Sequence, residues 1–168
     1  MTSKIRRQLT LFLGKEDAIQ IEEIRLKYNP QQRELIDSHV TLCREDEIVN
    51  IDKVENNLKK LRHKPIAVDF GQAIRFENGK GVLIPSRDNN EPFQKLRQEI
   101  LKGLDNNPRK HEPHITLLHP RNATCTDIIF ESIARINLPV SFSFKAISLI
   151  EQTDGGKWET LKTFDLVE

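Results

Sequence analysis

The chain has 168 residues, 30% of them charged and 37% hydrophobic, and 26 Lys and Arg against 25 Asp and Glu leave a net charge of +1. That length fits one domain, or two small packed lobes, with a sizeable core, and the near-neutral charge excludes an electrostatic trap for long duplex nucleic acid. No apolar run approaches the roughly 20 residues that a bilayer span needs, no signal peptide is read in the stretch that opens with Met1, and Cys43 and Cys125 read as reduced thiols of a cytoplasmic protein.

In chain order, Gln8–Leu13 alternates Leu9, Leu11 and Leu13 with other residues and predicts a strand ended by Gly14. Asp17 is the expected cap of a helix carrying Ile21, Ile24 and Tyr28 and stopped before Pro30. A strand follows over Ser38–Cys43. Asp52-Lys53-Val54-Glu55 resembles a capping box with Asp52 as the cap of a helix reaching about Arg62. Ile66–Glu77 reads as one long extended segment with a bulge at Gly71.

The second half repeats that order. Gly81–Pro85 is a strand, and Asn90 and Pro92 open a helix with Phe93, Leu96, Ile100 and Leu104 on one face. Pro113–Leu118 is a strand, and Thr126 caps a helix to about Ile136. Pro139–Ile150 and Trp158–Leu166 are the last strands, joined through the turn Asp154-Gly155-Gly156. The expected fold class is α/β (α+β): a β-α-β-α-β unit duplicated about a pseudo-two-fold, with antiparallel sheets around a central cleft. One domain is expected, with lobes of about 1–79 and 80–168 meeting at the turn Gly79-Lys80-Gly81.

One tetrapeptide anchors the repeat. His39-Val40-Thr41-Leu42 returns 75 residues later as His114-Ile115-Thr116-Leu117. In a strand, residues i and i+2 share a face, so each copy presents a His beside a Thr and buries the residues between and after. A single H-x-T has almost no specificity; the pair in equivalent positions does. Two imidazoles, one neutral and one protonated, supply the base and the acid that cleavage of a phosphodiester needs. Two threonine hydroxyls can donate to the non-bridging oxygens, where charge builds in the transition state. Which histidine is acid and which is base stays open at this point. Of the local basic clusters, Arg109-Lys110-His111 runs directly into the second motif and is placed to reach a ligand phosphate, whereas the run from Lys59 to Lys64 reads as a solvated helix end.

These motifs resemble those of the 2H phosphoesterase superfamily, which includes the 2′-5′ RNA ligases and cyclic phosphodiesterases and is marked by two H-x-[S/T]-x motifs, one per lobe. The closing stretch from Trp158 through Phe164 and Leu166 is similar to the family's last strand. The resemblance implies a bilobal fold with the motifs facing across a cleft. It also implies catalysis by His39 and His114, phosphate binding by Thr41 and Thr116, no metal and no cofactor. The expected reaction is hydrolysis of 2′,3′-cyclic or 2′-5′ phosphodiesters of nucleotides or RNA ends, or ligation by the same residues. Arg44, His119 and Arg121 are the further substrate-binding candidates. Arg44 stands at a spacing where several members carry an arginine, yet on an unbulged strand it turns away from the face of His39. Of the ten aromatics only Phe12 suggests itself as a base platform, and a core role suits it as well. A monomer is expected, since internal symmetry completes the pocket, with no membrane partner. Three other readings compete: a zinc site in which Cys43 shares a face with His39 and Thr41, a binding module without turnover, and an interaction protein whose histidines are incidental.

Overall fold

The computed structural model describes residues 2–167. The chain runs β1 (Ile5–Phe12), α1 (Ile19–Tyr28), α2 (Pro30–Leu35), β2 (His39–Cys43), α3 (Ile51–Lys60), β3 (Ile66–Asp69), β4 (Ile74–Phe76), β5 (Gly81–Pro85), α4 (Glu91–Ile100), β6 (His114–Leu118), α5 (Asp127–Ala134), β7 (Ser141–Phe144), β8 (Ala146–Thr153) and β9 (Glu159–Asp165). No helix among the described residues is long and apolar enough to cross a membrane.

All strand pairs are antiparallel, and the sheets have orders β2-β1-β8-β9, β4-β5-β6 and β3-β7. The repeat is visible in this order. β1 is flanked by β2 and β8, as β5 is flanked by β6 and β4. The first motif sheet therefore takes β8 and β9, and the second takes β4, from the other half of the sequence. β3 and β7, which precede those exchanged strands, pair with each other. One apolar cluster runs through both sheets, joining Leu9, Leu11, Val40 and Leu42 to Val82, Ile84, Ile115 and Leu117. Among the described residues, only β9 lacks a counterpart in the other sheet.

Several local expectations change, each for a physical reason. The Ile66–Glu77 segment is two strands in different sheets, β3 and β4, with the chain crossing between them around Gly71 rather than bulging. The 139–150 segment likewise divides at Lys145 into β7 and β8. Asp17 does not cap α1; the cap position is Ala18, and no side chain bonds there. Pro30 does end α1, but it also opens α2, since its fixed φ and missing N–H suit the first turn of a helix. The cap of α3 is Asn50, whose side chain accepts from Lys53 N at 3.3 Å, and Asp52 lies inside the first turn. Thr126 caps α5 as expected, accepting from Ile129 N.

The α3 cap is directly measurable. Asn50→Ala lowers stability by about 1 kcal/mol because it orphans a helix-start N–H. Asp52→Ala costs less, since it removes only a charge near the helix dipole. Urea midpoints of the two variants test the assignment: an equal or reversed order overturns it.

Candidate active site

The two motif strands enter their sheets identically. β2 pairs with β1 through Phe12↔His39, Leu11↔Val40 and Thr10↔Thr41, then slips to Leu9↔Cys43. β6 pairs with β5 through Pro85↔His114, Ile84↔Ile115 and Leu83↔Thr116, then slips to Val82↔Leu118. Leu42 and Leu117, the fourth residue of each motif, are thus the extra residues of matching bulges. An extra residue reverses the inside–outside alternation of everything after it. Hence Leu42 and Cys43 are both buried, as are Leu117 and Leu118.

The bulge settles two questions of side-chain direction. Arg44, five residues from His39, returns to the open side and lines a cavity of about 450 Å³ together with Thr41, His114 and His119. Cys43 turns the other way, into the core. It therefore does not share a face with His39 and Thr41, burial pushes its thiol pKa up to about 12, and among the described residues no group of three or more His, Cys, Asp or Glu is placed to hold a metal.

His39, Thr41, His114 and Thr116 line one cleft of about 170 Å³, and His119 and Arg121 border it as well. All seven residues singled out in the sequence thus border this cleft or the adjoining cavity. The two motif histidines are held alike. His39 Nδ1 lies 2.8 Å from Asp37 O, and His114 Nδ1 lies 3.1 Å from Glu112 O, each carbonyl two residues upstream. A carbonyl only accepts, so Nδ1 carries the hydrogen in both rings, and Nε2 is the nitrogen left for a ligand. Burial pushes the His39 pKa down to about 4, and the nearby Arg25 and His114 lower it further against the Asp37 carbonyl. His39 is therefore neutral at physiological pH, with a free lone pair on Nε2.

His119 is held in the opposite sense. Its Nδ1 accepts from Arg121 N at 3.1 Å, which leaves Nε2–H as a donor. Burial, then the adjacent Arg121, lowers its pKa.

Each lobe's first helix braces the other lobe's motif strand. Asn29, at the end of α1, accepts from His119 N at 2.8 Å. From α4, the buried Arg97 donates to Leu42 O, the bulge carbonyl of β2, at 2.6 Å. Arg25 of α1 is also buried, but it donates within its own half of the chain, to Ile36 O at 2.6 Å. It also borders the cleft, as do Arg6 and Gln8 of β1, Gln32 of α2 and Trp158.

None of these five was singled out for the site. Arg25 and Gln32 sit in helices whose polar residues look solvent-facing, and Arg6 precedes the expected strand start. Trp158 is the one tryptophan in the chain, which was a usable signal. His111 was noticed only within a basic cluster. Its ring is buried, stacks on Phe93 and sits 6.0 Å from the His114 ring.

Comparison with known proteins agrees with this architecture. No curated protein matches the chain. Among solved structures, the chain is similar to E. coli LigT in apo form, with a TM-score of 0.64 and 16% identity over 99% of this chain and 100% of that one. It is similar to the same protein complexed with phosphate, with a TM-score of 0.65 and 18% identity over the same shares. A third likeness is TT0787 of Thermus thermophilus, with a TM-score of 0.59 and 16% identity over 96% and 97% of the two chains. At these identities the likeness is one of fold. The family model of the 2′-5′ RNA ligase superfamily matches residues 14–156, a span that contains both motif strands and all but the outermost elements, and the chain belongs to that superfamily.

Proposed function

We propose that the protein is a metal-independent phosphoesterase that acts on 2′,3′-cyclic or 2′-5′ phosphodiester bonds of nucleotides or RNA ends, with His39 and His114 as general base and general acid. The observation that carries this reading is the matched pair of imidazoles, each with Nδ1–H tied to the carbonyl two residues back, on either side of one cleft. Two such groups perform both proton transfers of a phosphodiester cleavage without a Lewis acid. The E. coli protein of the same fold is known complexed with 3′-AMP, a product-like ligand for this chemistry.

The neutral His39 takes the base role. Its Nε2 removes a proton from water as the water oxygen bonds to phosphorus. The bond from phosphorus to the leaving ribose oxygen breaks, and His114 Nε2–H protonates that oxygen. The reaction leaves His39 charged and His114 neutral, and exchange with solvent restores both. Thr41 and Thr116 hydroxyls donate to the non-bridging oxygens, where donors are worth most as charge accumulates. His119 Nε2–H and the guanidinium groups of Arg44 and Arg121 bind the anion. Ligation with an RNA 5′-hydroxyl runs the same two proton transfers through the same residues.

Turnover of a panel of 2′,3′-cyclic nucleotides and 2′-5′-linked dinucleotides in EDTA tests the proposal. Measurable hydrolysis of at least one member is expected. Binding without turnover of any member overturns catalysis and leaves a binding module.

The pH dependence carries its own prediction. The base must be neutral, and the pKa of His39 in the free enzyme lies near 4 rather than 6.5. The acidic limb of kcat/KM, which reports the free enzyme, therefore falls well below pH 6.5. Activity persists at pH 5.5, where an ordinary histidine is mostly protonated. An acidic limb centred near 6.5 refutes the assignment of His39 as base.

A further inference from the structure

The two motifs are related by near symmetry, so they offer a substrate two opposite orientations. The symmetry fails on the side of the first motif, where α2 has no counterpart between α4 and β6 and the sheet is wider. The sheet of the first motif has a fourth strand, β9, and the sheet of the second stops at three. Trp158 lies at the entrance to β9, where its backbone N–H donates to Leu35 O at 2.8 Å and so ties it beside the segment leading to His39.

The half-buried indole borders two volumes at once. One is the cleft with the motif residues. The other is a groove of about 680 Å³ that it shares with Phe12, Leu13 and Ile36, with Lys15, Lys157 and the Arg33–Asp37 ion pair on its rim beside Glu34. Phe12 in turn meets the His39 ring edge-on, with centroids 6.1 Å apart. Arg6 places its guanidinium carbon 5.4 Å from the centre of the indole. Arg6 borders the cleft but not the groove, so it braces the ring from the cleft side. Among the described residues, no other Phe, Tyr or Trp ring borders the cleft.

We infer that this groove is the nucleobase subsite, with Trp158 as its stacking surface, and that the substrate is a nucleotide bound with its base on the His39 side. The inference rests on the phosphoesterase reading and extends it to a substrate class and an orientation. A flat apolar ring beside a phosphate-binding cleft suits a base face. Stacking of this kind tolerates any base, since each has a π face. The partner lobe has no equivalent indole, so the orientation is set by β9 rather than by the motifs.

Trp158 is the sole tryptophan, so intrinsic fluorescence reports on this ring alone. Titration of the wild type with 2′,3′-cyclic AMP is expected to quench that fluorescence, and titration with a base-free ester, glycerol 1,2-cyclic phosphate, is not. Kinetically, Trp158→Ala is expected to lower the ratio of kcat/KM for the nucleotide to that for the base-free ester by roughly ten- to a hundredfold, mainly through KM. Trp158→Phe, which keeps a ring, restores most of the ratio. Equal quenching by both ligands, no quenching by the nucleotide, or an unchanged ratio in Trp158→Ala overturns the subsite. Failure of the wild type to turn over either ester or any 2′-5′-linked dinucleotide overturns the phosphoesterase reading instead, and the fluorescence titration still decides whether a base stacks there.

Discussion

His39→Ala and His114→Ala each lower kcat/KM on the best cyclic substrate by about 10²–10⁴-fold, the range for loss of one positioned proton-transfer group, while the protein stays folded. The fold tolerates the loss because each imidazole is half-buried at the first residue of its strand and, among the described residues, bonds only to a carbonyl two residues away. The apolar residues that anchor the strands, Val40 and Ile115, are untouched. The double variant falls little further than the worse single one, since a reaction that needs both transfers is already disabled by losing one. The singles also differ in their pH profiles. His39→Ala abolishes the low acidic limb, because the group that must be neutral is gone. His114→Ala keeps that limb and loses the requirement for a protonated acid. Steady-state rates with far-ultraviolet circular dichroism on each variant check the outcome. Near wild-type activity in either folded variant removes the two-histidine mechanism altogether.

Which residues gather at the cleft was more legible in the sequence than how their side chains are directed. Two copies of a tetrapeptide mark the paired groups because strand periodicity alone puts His and Thr on one face. Beyond the tetrapeptide, periodicity misleads. Arg44 and Cys43 exchanged faces relative to a regular strand, and the cause is a bulge that exists only in the pairing of β2 with β1. A one-residue slip is a property of two strands, so neither strand's own sequence announces it. The same holds for the strand exchange. Ile66–Glu77 has an extended pattern throughout, but its ends pair with β7 and β5, which lie in different sheets. Asn50 and Asp52 are both good cap residues, and the choice between them depends on where the chain leaves Ile48, which is buried in the core. The helices were legible as amphipathic, but their two buried arginines were not, because an arginine on a helix is usually solvated. Spacing held a clue: Arg25 and Arg97 stand 72 residues apart, close to the motif repeat.

Arg97→Met is the variant with the largest expected effect on stability, a loss of about 3–5 kcal/mol. The Arg97 side chain is 1% exposed and donates to Leu42 O, Arg109 O and both carboxylate oxygens of Glu47, whose own side chain is 10% exposed. Burial on its own raises the Glu47 pKa, and the hydrogen bonds from Arg97 and from Arg44 N, together with the charges of Arg97 and Arg109, more than reverse that, so the carboxylate is held below its ordinary range. Removal of the guanidinium leaves two carbonyls without their donor and a buried carboxylate that keeps the Arg44 N–H at 3.0 Å but has only the more distant Arg109, at 3.7 Å, to balance its charge. Against a total stability of about 5–15 kcal/mol, the loss lowers Tm by on the order of 10 °C. The companion variant Arg25→Met behaves differently. Its acidic partner Glu22 keeps a second arginine, Arg33, at 2.9 Å, so the stability loss is smaller, whereas Arg25 borders the cleft and its loss weakens substrate binding. Adding Glu47→Leu to Arg97→Met recovers part of the lost stability, because the uncompensated charge disappears with the carboxylate. Thermal melts of the single and double variants measure this coupling. If Arg97→Met melts with the wild type, or if the second substitution deepens the loss, the brace between α4 and β2 is not an energetic link between the lobes. If the coupling appears, the bulge that returns Arg44 to the open side of the strand is held in place by a helix of the opposite lobe, and neither motif is a self-sufficient unit.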